Sequence, residues 1–158
     1  MLELVVVLAV IAIVAFLAVP MRSRAAEVRL RSAASLIASD IEYVKNLAIN
    51  NQKYYSLIFD NEDDSFTYKV CNSEGIVDHP LRAGLPFEID FTENSRLRKI
   101  IGMAIFDASQ AITFDYLGSP FSGIGTENPL QNGKVILETS DLKMTIYVEP
   151  VTGYVNIR

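Results

Sequence analysis

Leu4-Val-Val-Val-Leu-Ala-Val-Ile-Ala-Ile-Val-Ala-Phe-Leu-Ala-Val19 runs for sixteen residues without a polar side chain, and one carboxylate, Glu3, stands directly before it. A carboxylate at the mouth of an apolar helix is costly in lipid, and ionisable residues at such depth usually have a specific partner. Pro20 closes the run, and beyond Met21 the chain turns basic and polar with Arg22, Ser23 and Arg24. The N-terminus is therefore expected to be a helix that sits in a bilayer and then pairs with something. At about 1.5 Å per residue, Leu4 to Met21 covers roughly 27 Å, close to a hydrocarbon core of about 30 Å.

A cleaved secretory signal is the competing reading of this segment. It calls for a basic leading region, whereas Met1, Leu2 and Glu3 lead here, and Pro20 with the arginines interrupts any small-residue cleavage motif. Orientation stays open. Arg22, Arg24, Arg29 and Arg31 follow the apolar run, and the positive-inside rule alone places the rest of the chain in the cytoplasm. A basic leader ahead of Met1 would reverse that.

Past Pro20 the helical period continues. Leu30, Ala33, Ala34, Ile37, Ile41, Val44 and Ala48 recur at spacings of three and four, which leaves one apolar stripe. The stripe fades at Asn50-Asn51-Gln52. Residues 1–53 thus read as a rod of about 80 Å, apolar all round in its first half and amphipathic in its second. Pro20 lacks a backbone donor and is expected to kink or locally unwind it.

From Tyr54 the period switches to two. Strands are expected at 54–59, 66–71, 87–91, 100–106, 112–116, 134–138, 144–148 and 154–157, with hairpins turning at 60–64, 139–141 and 150–153. Strands that follow one long helix, rather than alternating with helices, give an α+β fold. The expected architecture is a long N-terminal helix whose amphipathic half packs on an antiparallel β-sheet or sandwich head. Its divisions are a membrane or core helix at 1–21, an amphipathic helix at 22–53 and a β head at 54–158.

Composition narrows function. Residues 54–158 carry eight basic side chains against fifteen acidic, an excess that disfavours nucleic acid as a main partner. Cys71 and His79 are each the only residue of their kind, so an internal disulfide is impossible and a Ser/His/Asp triad or metal site has little to draw on. No cofactor is expected. The acidic tip at 60–64 lacks the glycine and the later glutamate of a calcium loop, and reads as a solvated hairpin end. The glycine-rich stretch 118–125 precedes no helix, so it is expected to be an irregular surface loop rather than a phosphate cradle.

The segment from Met1 to Pro20 resembles the N-terminus of type IV pilins and type II secretion pseudopilins. That family's mature chain begins Phe-Thr-Leu-x-Glu, and a proline follows the glutamate by seventeen positions. Glu3 and Pro20 have this spacing, with Met1 in the third mature position. The head is similar to H-type minor pseudopilins and FimT-like minor pilins through Ile112-Thr-Phe-Asp-Tyr-Leu-Gly118 and the ending Val148-Glu-Pro-Val-Thr-Gly-Tyr-Val-Asn-Ile157. The single Cys71 departs from the disulfide-closed loop of major pilins. Gly153-Tyr-Val-Asn156 departs from the basic Gly-Arg-x-Arg tail of DNA-binding relatives.

The resemblance implies a non-enzymatic minor subunit that helps initiate or cap a pilus-like filament for secretion or pilus biogenesis, processed and methylated at its N-terminus. It implies residence in the inner membrane by a single pass, with the head in the periplasm or outside the cell. It implies three kinds of partner: sister subunits met through the N-terminal helix, an inner-membrane assembly platform, and secreted cargo. Glu3, Leu4, Val7, Ile11 and Pro20 would be the assembly residues. A DNA-uptake subunit and a plain membrane-anchored β domain are the alternatives.

Overall fold

The computed structural model describes the backbone of residues 2–62, 65–139 and 142–158, and their side chains apart from those of residues 2, 15–24, 62 and 65. The helix α1 runs from Leu2 to Asn51, about 75 Å at the α-helical rise. Its backbone is helical through Pro20, so local unwinding there is not seen. The helix ends where its apolar stripe does. Gln52 adopts a left-handed φ of 53°, and the Lys53 N–H returns to the Ala48 carbonyl at 3.3 Å. That 6→1 bond across a left-handed residue is a Schellman stop, which satisfies a carbonyl the helix leaves orphaned.

The strands follow in order: β1 (Tyr55–Glu62), β2 (Ser65–Asn72), β3 (Gly75–Ile76), β4 (Asp78–His79), β5 (Arg82–Pro86), β6 (Glu88–Asp90), β7 (Ile101–Phe106), β8 (Ala111–Phe114), β9 (Pro120–Ser122), β10 (Gly133–Thr139), β11 (Leu142–Val148) and β12 (Val155–Ile157). All eight expected strands are present. The first sheet runs β3-β2-β1-β8-β9, with β6 also on the outer edge of β2, and the second runs β12-β11-β10-β7. The β4–β5 hairpin stands apart from both. Every pairing is antiparallel, as the expected α+β architecture requires.

Two expectations need correction. The stretch 118–125 is not wholly irregular: Pro120–Ser122 forms β9, an edge strand on β8. The reason lies beneath it, in a buried polar pair. Thr113 donates to the Gly123 carbonyl at 2.6 Å, so its hydroxyl oxygen is left to accept from Ser56 at 2.7 Å and from the Gly125 N–H at 3.2 Å. Both hydroxyls are buried and satisfied, and the loop is fixed by them. The segment 75–86 contains short strands the period-two pattern did not mark. The turn of the 60–64 tip, at residues 63 and 64, lies outside the described residues.

The core lies where the helix stripe meets both sheets. Leu30, Ala33, Ala34, Ile37, Ile41, Val44 and Ala48 are all buried, against Leu57 and Phe114 of the first sheet and Val135, Leu137 and Ile146 of the second. Behind them Phe59, Phe66, Tyr68, Phe91 and Phe106 form a ring cluster with centroids 5.2–6.3 Å apart, the separation that offset and edge-on aromatic pairs favour. Asn61 joins the two sheets. Its side chain both donates to and accepts from the Ala104 backbone at 3.2 Å, occupying part of the otherwise unpaired edge of β7.

Candidate assembly surface

The helix divides sharply by environment. Leu30 is the first residue of its buried stripe, whereas residues 3–14 are exposed without exception. Leu4 is 65% accessible, Val7 56% and Ile11 58%, and Val5, Val6, Leu8, Val10, Ile13 and Val14 are similarly bare. Monomeric soluble proteins rarely show a contiguous apolar surface of this extent, and one that does has an interaction or membrane surface in view. Glu3 sits in the first turn of this stretch, where the unpaired N–H groups of a helix favour a negative charge. The structure therefore places Glu3, Leu4, Val7 and Ile11 together on one projecting helix. The side chain of Pro20 lies outside the described residues. Among the described residues no helix is long and apolar enough to cross a membrane; the expected span at 1–21 includes Met1 and side chains that lie outside them.

At the opposite end of α1 the head is clamped to the helix. Lys45 donates to the Gly153 carbonyl at 3.3 Å and pairs with Glu42 at 3.2 Å. Gly153 itself has a left-handed φ of 59°, and a Cβ there would lie 2.8 Å from the Phe114 ring. Glycine is thus required both by the backbone and by the space.

A second helix-to-sheet tie is the hydrogen bond from the Tyr68 hydroxyl to Asp40, at 2.5 Å. Burial raises the Asp40 carboxyl pKa, partly offset by the Tyr68 hydrogen bond and by the charge of His79. Burial first, then the neighbouring carboxylate, pushes the Tyr68 phenol well above its ordinary value. His79 lies against Phe87 at 4.9 Å between centroids, and its Nδ1 accepts the Leu81 N–H at 3.0 Å. Asp40, His79 and Phe87 border a cleft of about 650 Å³ between α1 and the β4–β5 hairpin. One imidazole ring nitrogen is engaged by the backbone, and among the described residues no hydroxyl or thiol is hydrogen-bonded to His79. Among the described residues no group of three or more His, Cys, Asp and Glu side chains is placed to hold a metal ion. Cys71 is half-buried, and desolvation raises its thiol pKa, which makes it less reactive than a free thiol.

Neither the Asp40–Tyr68 tie nor the Lys45–Gly153 clamp was anticipated from sequence. Their partners stand 28 and 108 residues apart, and no local pattern marks either pair.

Comparison with solved structures gives two informative matches. The Pseudomonas aeruginosa type IV minor pilin FimU superposes with a TM-score of 0.52 over 82% of this chain and 92% of that one, at 15% identity. The minor pseudopilin EpsH from the Type 2 Secretion System of Vibrio cholerae superposes at 0.55 over 82% and 96%, at 8% identity. The chain has a pilin-like fold. No protein-family model matches the chain, and no curated protein matches it by sequence. The pilin-like fold is thus matched at identities of 15% and 8%.

Proposed function

We propose that this chain is a minor pilin or minor pseudopilin, a structural subunit rather than an enzyme, which helps initiate or cap a pilus-like filament. The observation that carries the reading is the exposed apolar surface from Leu4 to Val14 projecting from a head whose own core is already closed. Such a surface serves two environments in turn. In the inner membrane it is solvated by lipid, with residues 1–21 as a single-pass anchor and the head on the far side of the membrane from the cytoplasm. In a filament it packs against the equivalent helices of sister subunits while the heads at 54–158 stay outside, carried on residues 22–53. The assembly platform in the membrane and secreted cargo are further partners in this reading.

Glu3 is the registration device. A carboxylate in an apolar bundle is costly alone and is compensated by the amino terminus of a neighbouring subunit, so only one stagger between helices is tolerated. Pro20 eases the helix from lipid into the bundle by lacking one backbone hydrogen bond.

Glu3→Ala tests this directly. The variant is expected to fold and to fractionate with membranes as wild type does, yet to be absent from sheared filaments or from the cross-linked minor-subunit complex. Normal incorporation of that variant would refute the registration role.

A further inference from the structure

The head is acidic overall, but its cations are not spread evenly. Arg96, Arg98 and Lys99 are three of the eight basic residues beyond position 53, and they fall within four positions. In the structure Arg96 and Lys99 meet Arg29 of α1 around a cleft of about 510 Å³, completed by Ala25, Ala26 and Thr139. The turn that presents them is fixed. Leu97 and Ile100 are buried, and the Leu97, Arg98 and Ile100 N–H groups are hydrogen-bonded within the turn at 2.8–2.9 Å. Arg29, Arg96 and Lys99 are exposed, and among the described residues none of them forms an ion pair. Of the carboxylates close in sequence to these residues, Glu27 pairs with Arg31 and Glu138 with Lys143, while Glu93 is exposed three positions before Arg96.

Position gives this cleft its meaning. It lies where α1 leaves the head, lined by Ala25, Ala26 and Arg29 just ahead of Leu30, the first buried residue of the helix stripe. From Met21 to Arg29 is about 12 Å along the helix axis, and side chains on a helix lean toward its N-terminus. The headgroup zone on each face of a bilayer is roughly 5–8 Å deep, so an arginine or lysine stem reaches back to it.

We propose that Arg29, Arg96 and Lys99 form a seat for the phosphate of an anionic phospholipid, which docks the head against the membrane surface while the subunit awaits assembly. The seat would fix head height and orientation before extraction. It rests on the reading of the N-terminal helix as a membrane anchor.

The test is co-flotation of the full chain with phosphatidylcholine vesicles and with mixed phosphatidylcholine–phosphatidylglycerol vesicles. Wild type is expected to float with both and to prefer the anionic ones, the preference shrinking as salt screens it. Arg29→Gln/Arg96→Gln/Lys99→Gln should keep neutral-vesicle binding and lose roughly ten- to hundredfold of the preference. Arg82→Gln/Lys134→Gln, which removes cations elsewhere on the head, should retain it. Equal binding to both vesicles by wild type, or an undiminished preference in the triple variant, would overturn the lipid seat and leave the anchor reading standing. Binding to neither vesicle overturns the anchor reading and the seat together. Release from anionic but not neutral vesicles by a short DNA duplex at equimolar phosphate would assign the cleft to nucleic acid and overturn the lipid proposal.

Discussion

The Tyr68 hydroxyl donates to Asp40 across the interface between β2 and α1, at 2.5 Å, and this bond ties the middle of the helix to the first sheet through one half-buried carboxylate. Burial makes the ionised form of Asp40 costly, and the phenol offsets part of that cost.

A native carboxyl with a raised pKa binds its proton more readily than the unfolded chain does. Its contribution is complete below the ordinary value of 3.8 and is lost as pH rises through the native value. Asp40→Asn should therefore flatten the fall in stability across mildly acidic pH, measured by urea unfolding in a pH series. Tyr68→Phe should have the opposite electrostatic effect, moving the Asp40 titration further upward by NMR and costing about 1–3 kcal/mol at neutral pH. A downward shift of Asp40 in that variant would contradict the assignment.

Tyr68 has its own pH signature. Its phenol is held well above the ordinary 10.0, so its stabilisation is intact below that pH and is lost as pH climbs toward the native value. Alkaline unfolding should thus begin near the ordinary tyrosine range in wild type. Tyr68→Phe, less stable at neutral pH, should show a shallower alkaline slope; an unchanged slope would mean another group governs it.

Gly102 in β7 lies directly under the Phe66 ring, and an added Cβ would overlap the ring carbons. Gly102→Ala is expected to cost about 1–3 kcal/mol, because a packed core has no room to yield. Pairing it with Phe66→Leu should recover part of the loss, a non-additivity that a double-mutant cycle in denaturant would read. Additive losses would place the strain elsewhere.

The clamp at the far end of α1 separates a polar effect from a steric one. Lys45→Met keeps the stem beside the turn and removes both the hydrogen bond to Gly153 and the ion pair with Glu42, for an expected loss of about 0.5–1.5 kcal/mol. Gly153→Ala adds an unfavourable left-handed residue and a contact with Phe114, and should cost more. The reverse ranking in thermal unfolding would show that charge, not space, governs this junction.

How much of this was legible in the sequence follows from the range of each interaction. Leu30 to Ala48 announces its buried face because burial repeats every three or four residues, and the Asn50-Asn51-Gln52 stop coincides with a Schellman turn. The β10–β11 hairpin was legible because Val135, Leu137 and Ile146 alternate with more exposed neighbours. By contrast β5, from Arg82 to Pro86, is exposed at every position, so no alternation could mark it. β9 depends on Thr113, a residue on another strand, for its order. On the projecting helix the apolar run was plain, and the structure leaves it exposed from Leu4 to Val14.

Val7 and Ile11 stand four residues apart on that helix, a spacing that puts them on one face, and neither touches the core. Val7→Asp/Ile11→Asp therefore removes nothing that the head uses to fold. The melting temperature of the double variant should match wild type within error, since surface changes far from the core are usually worth less than about 0.5 kcal/mol. Assembly is another matter. Two carboxylates would be carried into an apolar bundle without partners, at several kcal/mol each, and incorporation into filaments should be lost. Circular dichroism melts and immunoblots of sheared filaments read the two effects separately. A variant that melts early would show that the helix supports the head after all, and one that still assembles would remove this face from the contact surface.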